Sequence, residues 1–111
     1  MKLINKYKLR KGENNIKMKT KNKIAYLQYM FFECKNLKNI DELKYLNTKY
    51  CNNFSYMFSQ CSSLSDIKGL EKLNVSNGNN FEGMFEGCSS LLDIKGIEKW
   101  NISKSLLKDI K

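Results

Sequence analysis

The 111-residue chain contains four cysteines and no histidine, and this limits the chemistry it has to offer. Without histidine, the commonest general base, the commonest metal ligand and the near-neutral proton switch are all missing. A zinc site would normally use close pairs such as Cys-x-x-Cys, and none is present. Cys34, Cys61 and Cys88 recur at an interval of 27 residues. If successive units stack, these thiols form an inward ladder with Cα atoms about 5 Å apart, within disulfide reach. Three in a row cannot all pair, and no secretory signal points to an oxidising compartment. They are expected to be reduced core thiols acting as small hydrophobes. Cys51 lies outside the ladder and is expected to be the most exposed thiol. Asp66 and Asp93, with Asn39, form another column. Two carboxylates about 5 Å apart, the spacing of adjacent strands, could share acid–base work. However, Lys68 and Lys95 follow two residues later, and Glu71 with Lys99 and Glu98 with Lys72 alternate in the same way. This is a solvated face of cross-unit pairs, each worth about 0–1 kcal/mol. No nucleophile–base pair and no phosphate-binding loop can be found. A protein without catalysis, cofactor or metal is expected.

The elements that position these residues follow from the same interval. Met30-Phe31 returns as Met57-Phe58 and Met84-Phe85, and Leu37 returns as Leu64 and Leu91. Ile40 returns as Ile67 and Ile94, Leu43 as Leu70 and Ile97, Leu46 as Leu73 and Trp100, and Asn47 as Asn74 and Asn101. A fixed period between about 20 and 50 residues is the mark of stacked supersecondary units. From Leu37 onward the apolar step is three, which an α-helix of period 3.6 cannot hold. The expected fold is α/β: a short solenoid of three coils, 27–53, 54–80 and 81–103. Short parallel strands are expected at Leu37–Asp41, Leu64–Lys68 and Leu91–Lys95, with a short helix or 3-10 turn at Phe54–Cys61. A stacked Asn47, Asn74 and Asn101 column would satisfy backbone groups at the corners.

Met57-Phe58-Ser59-Gln60-Cys61-Ser62-Ser63-Leu64-Ser65-Asp66-Ile67 resembles the M-F-x-x-C-x-S-L-x-x-I core of the BspA-type leucine-rich repeats. Met84-Phe85-Glu86-Gly87-Cys88-Ser89-Ser90-Leu91-Leu92-Asp93-Ile94 resembles it more closely, and Trp100-Asn101-Ile102-Ser103 is similar to the W-N-T-S segment that follows in that family. Repeat one departs at Phe32, Lys35-Asn36 and Lys49-Tyr50-Cys51. The resemblance implies a leucine-rich-repeat fold and a non-catalytic binding mode, seen in that family on bacterial and protist surfaces.

The net charge of +9 is unevenly placed. Residues 1–26 hold nine Lys/Arg against Glu13, whereas residues 27–111 hold eleven Lys/Arg against ten Asp/Glu. In this leader Tyr7, Leu9, Ile16, Met18 and Ile24 alternate with cations around Gly12-Glu13-Asn14-Asn15. Period-two alternation about a Gly/Asn turn predicts a β-hairpin. Like charges across it destabilise the pair unless its apolar face is buried, so residues 1–26 are expected to cap the first coil. Its outer face would present Lys6, Lys8, Arg10, Lys17, Lys19, Lys21 and Lys23 to an acidic partner or nucleic acid. Residues 104–111, with Leu106, Leu107 and Ile110, are expected to close the other end.

Two patches are the expected contact surfaces for a protein partner. One is the mixed-charge face of Asp66, Lys68, Asp93 and Lys95. The other is aromatic: Tyr29, Phe32, Tyr45, Tyr50 and Tyr56 in or beside the first repeat. Gly83, Glu86 and Lys99 stand at the equivalents of Tyr29, Phe32 and Tyr45, so the core does not demand aromatics there; such residues suit a binding hot spot. No run of 18 apolar residues exists, so no membrane-inserted helix is expected, and without a signal-peptide pattern the location expected is cytoplasmic. The functional expectation is a protein-binding module. It would act as an intracellular antagonist that occludes its partner, a nucleic-acid enzyme being one such target (anti-CRISPR-like). The alternatives are nucleic-acid binding through the basic hairpin and a fragment of a surface adhesin.

Overall fold

A computed structural model describes residues 27–111. Its framework is a series of tight turns in which each inward residue donates its N–H to the inward residue three before it. Cys34 donates to Phe31, Leu37 to Cys34, Leu43 to Ile40 and Leu46 to Leu43, all at 3.0–3.1 Å. The second unit repeats this with Cys61 to Phe58, Leu64 to Cys61, Leu70 to Ile67 and Leu73 to Leu70. The third does so with Cys88 to Phe85, Leu91 to Cys88, Ile97 to Ile94 and Trp100 to Ile97. The apolar three-step is thus the i→i+3 period of 3-10 geometry. Three short 3-10 helices result: Asp41–Tyr45, Leu70–Lys72 and Lys95–Lys99.

The units also bond to one another. Along the Met-Phe segment alternate N–H groups leave their own turn. Tyr29, Phe31 and Glu33 donate to the carbonyls of Ser55, Met57 and Ser59. Phe54, Tyr56, Phe58 and Gln60 donate to Asn80, Glu82, Met84 and Glu86. The side chains stack at the same interval, with Phe31 on Phe58 at 5.4 Å, Phe58 on Phe85 at 5.7 Å and Phe54 on Phe81 at 5.2 Å between ring centroids. Such pairs add about 0.5–1.5 kcal/mol beyond area burial. Met30, Met57 and Met84 are all buried among them. Trp100 tilts onto Phe81 and donates its indole N–H to the Leu70 carbonyl at 2.9 Å.

The expected α/β leucine-rich-repeat solenoid is overturned. Among the described residues no parallel sheet and no extended strand is present, only isolated bridges such as the parallel pair Asn53 and Asn80. Leu37–Asp41, Leu64–Lys68 and Leu91–Lys95 do not pair as strands; of the two forms expected at Phe54–Cys61, the segment takes i→i+3 turns and not a helix. The physical reason lies in the N–H groups. A strand needs several consecutive extended residues to form a ladder. Here every second or third donor is spent inside its own turn, and Tyr29, Glu33, Tyr56 and Gln60 take positive φ of 54–64°. The 3-10 helices sit in the later half of each unit, beginning at the end of the expected strands or just after it.

The last residues lie over the third unit. Helix Lys104–Leu107 leads to Asp109 and Ile110, whose carbonyls accept from Gly83 and Phe85 at 2.7 and 2.9 Å. Ile110 is buried, and Leu106 and Leu107 are half-buried against the core. The expected β-hairpin cap at 1–26 lies outside the described residues.

Candidate binding surface

The groups most suggestive of chemistry are built into the stack. Cys34, Cys61 and Cys88 are buried thiols, and no disulfide joins them. The Cys61 thiol donates to the Phe31 carbonyl, and the Cys88 thiol to that of Phe58, both at 3.1 Å. Burial pushes the Cys88 thiol up to about 11. Cys51, expected to be the exposed thiol, is fully buried, and burial raises it to about 11 as well. Its own turn, closed by a bond from its N–H to the Thr48 carbonyl, carries it inward. Among the described residues no group of three or more His, Cys, Asp or Glu is placed to hold a metal ion.

The acidic column has a local task. Asn39, Asp66 and Asp93 each accept, on Oδ1, the backbone N–H two residues on, at 2.9, 2.8 and 3.1 Å. These are Asx turns, in which a short side chain imitates a backbone turn. Asn53, Asn74 and Asn80 do the same for Ser55, Ser76 and Glu82. Asn74 therefore serves a corner of its own unit, and Asn53 and Asn80 the junction with the next. Glu71 follows suit, accepting from Gly69 at 3.2 Å, and backbone hydrogen bonds hold its carboxyl below the usual range.

Asp66, Lys68, Asp93 and Lys95 are all exposed. Two consecutive shallow grooves run along this face. One, of about 410 Å³, is lined by Lys38, Asn39, Asp41, Ser65, Asp66 and Lys68. The next, of about 380 Å³, shares Ser65, Asp66 and Lys68 and continues to Leu91, Asp93 and Gly96. Helix Asp41–Tyr45 runs from the first groove, at Asp41, to the exposed Tyr45. Lys44 bridges Asp41 at 3.2 Å, which raises its pKa, and lies 5.3 Å from the centre of the Tyr45 ring.

The five aromatics do not form one patch. Tyr29, Phe32 and Tyr56 are half-buried together, with Tyr29 stacked on Tyr56 at 5.0 Å and edge-on to Phe32 at 5.5 Å. The Tyr56 ring continues over Gly83, where a Cβ would collide with it. The Glu82 carboxylate beside the Tyr56 phenol raises its pKa. Tyr45 and Tyr50 stand apart from this column, 62% and 50% exposed, each with a neighbouring lysine near its ring. Lys6, Lys8, Arg10, Lys17, Lys19, Lys21 and Lys23 lie outside the described residues. Sequence reasoning passed over Leu92, which is 90% exposed. Its signal is a change of type within a column: Lys38 and Ser65 stand where the third unit has Leu92.

No helix among the described residues is long and apolar enough to cross a membrane. No curated protein and no solved structure matches the chain. One family model does, over residues 2–109, nearly the whole length and all three units. The chain therefore belongs to the family described as Mycoplasma protein of unknown function, DUF285, which is associated with BspA-like surface repeat proteins.

Proposed function

We propose that the chain is a non-catalytic protein-binding module whose contact surface centres on the outer side of its first unit. The observation that carries this reading is the exposure of Tyr45 and Tyr50, where most large apolar side chains among the described residues are buried. At 27-residue steps, Lys72 and Lys99 stand at the place of Tyr45, and Asn77 and Lys104 at that of Tyr50. Packing has no need of a ring at either position. Exposed tyrosines beside a grooved, mixed-charge face are the composition of a protein-recognition surface. The thiols, amides and acidic column are occupied in holding the turns together, which fits a binding role better than a reactive one.

Two settings for this module differ in partner. In one it is an antagonist that occludes another protein, a nucleic-acid enzyme included. Membership of a family associated with surface repeat proteins favours the other, a displayed adhesive module. The test is affinity capture with the tagged chain at two salt concentrations, with and without nuclease, read by mass spectrometry. A protein partner retained by wild type and lost with Tyr45→Ala plus Tyr50→Ala supports the reading. Capture that collapses on nuclease treatment, or falls steeply with salt as phosphate contacts do, would transfer the function to the basic leader. Capture indifferent to both tyrosines would sink it.

A further inference from the structure

Residues 104–111 hold to the third unit more lightly than the units hold to one another. Unit two gives unit three the N–H bonds of Phe54, Tyr56, Phe58 and Gln60, and it stacks Phe54 on Phe81 and Phe58 on Phe85. Among the described residues the tail receives the bonds of Gly83 and Phe85 alone, on the carbonyls of Asp109 and Ile110. These acceptors lie 26 and 25 residues after their donors, whereas each bond from unit two spans 26. The tail thus enters in register and slips out of it by one residue. Helix Lys104–Leu107 has no side-chain cap, and within the tail only Ile110 is buried. Nor does the tail fill the row of donors. Gln60 donates to the Glu86 carbonyl, but among the described residues no carbonyl meets the equivalent N–H of Gly87. A hollow of about 210 Å³ lies there, lined by Phe85, Gly87, Cys88, Leu91 and Lys111.

We propose that residues 104–111 are a detachable strap, resting in a groove that takes an extended peptide by its main chain. Recognition of this kind draws affinity from backbone hydrogen bonds and selectivity from side-chain pockets. The donors of the groove are Gly83, Phe85 and Gly87, and its pockets are the buried place of Ile110 and the hollow beside Leu91. The partner that fits is an extended segment with one aliphatic residue at the place of Ile110 and a second beyond that of Lys111. Such a segment makes a bond and buries a side chain that the strap does not, so it displaces the strap. A segment fastened by few contacts opens at low free energy, ahead of the whole fold. The tyrosine surface takes no part.

The test uses the full chain and a labelled synthetic peptide that copies residues 104–111 and adds Gly-Leu. In native-state amide exchange Gly83 and Phe85 should open at least about tenfold more often than Phe58 and Gln60. The peptide should slow exchange at Gly83, Phe85 and Gly87. By fluorescence anisotropy it should bind the Ile110→Asp chain, whose own strap is loosened, at least about tenfold more tightly than wild type. A peptide with Asp in place of its isoleucine should bind at least about tenfold more weakly. Exchange of Gly83 and Phe85 only together with Phe58, in global unfolding, would overturn the proposal. So would a peptide that slows none of the three amides, binds both chains alike or does not need its isoleucine. Loss of the cooperative melt in Ile110→Asp would overturn it too, because the tail would then belong to the fold and not rest on it.

Discussion

Gly69 and Gly96 occupy the same column, yet they face opposite constraints. Gly69 has φ of 105°, and a Cβ there would lie 2.8 Å from the backbone Cα of Asp41. Neither strain nor contact can be relieved by moving a side chain, so Gly69→Ala should cost about 2–4 kcal/mol in urea unfolding. A Cβ on Gly96 would meet the Ile67 side chain at 3.3 Å, a contact that a small shift accommodates. Gly96→Ala should therefore stay within about 1 kcal/mol of wild type. The thiols give a second prediction at this scale. Burial raises Cys51 and Cys88 from 9.0 to about 11. Between those values the unfolded chain has lost protons that the folded chain keeps, so stability falls as pH rises. It should be whole below pH 9 and drop by about 1–3 kcal/mol per thiol by pH 11. Urea midpoints that stay level across this window in wild type would contradict the burial of both groups.

The Asx turns make a prediction about whole elements. If the Asp66 column is kept for its acceptor oxygen, Asp66→Asn should leave stability unchanged, as Asn39 already does this work in unit one. Asp66→Ala should cost about 0.5–1.5 kcal/mol, the net value of a hydrogen bond. A similar loss in both variants would mean that charge, not the bond to Lys68 N–H, is what the column supplies. Elements are also where the sequence was least legible. The inward columns can be read directly, because any stacking of units 27 residues long aligns Phe31, Phe58 and Phe85. The secondary structure cannot be read in the same way. A three-step of apolar residues is compatible with strands turning corners and with successive i→i+3 turns, and only the destination of each N–H separates them. Side-chain type carries little of that information when Tyr29, Glu33, Tyr56 and Gln60 adopt positive φ against their steric preference. The tyrosines of the candidate surface were legible as departures from their columns. Cys51 was misread because a unit-one turn with no counterpart cysteine carries it inward. Leu92 escaped notice because one exposed leucine is ordinary.

At the scale of the molecule, unit two is held from both sides. Phe58 touches rings of both neighbouring units. Phe58→Ala should cost about 3–5 kcal/mol, a large part of the roughly 5–15 kcal/mol that holds a small domain together. Phe58→Asp, which buries a charge besides, should abolish the cooperative thermal transition, and a melt near that of wild type would refute the inward stacking. The main-chain bonds between units along the Met-Phe segment have a direction. Each bond donated by Tyr29, Phe31, Glu33, Tyr56, Phe58 and Gln60 points from an earlier unit to a later one. Peptide groups so aligned add their dipoles as they do in a helix, each about 3.5 D. The pile is therefore electrically polar, negative toward unit one and positive toward unit three, where the amides of Gly83 and Phe85 meet the carbonyls of Asp109 and Ile110. Nine of the chain's twenty cations are joined in sequence to the negative pole. The lopsided charge of the chain thus follows the field of its own backbone.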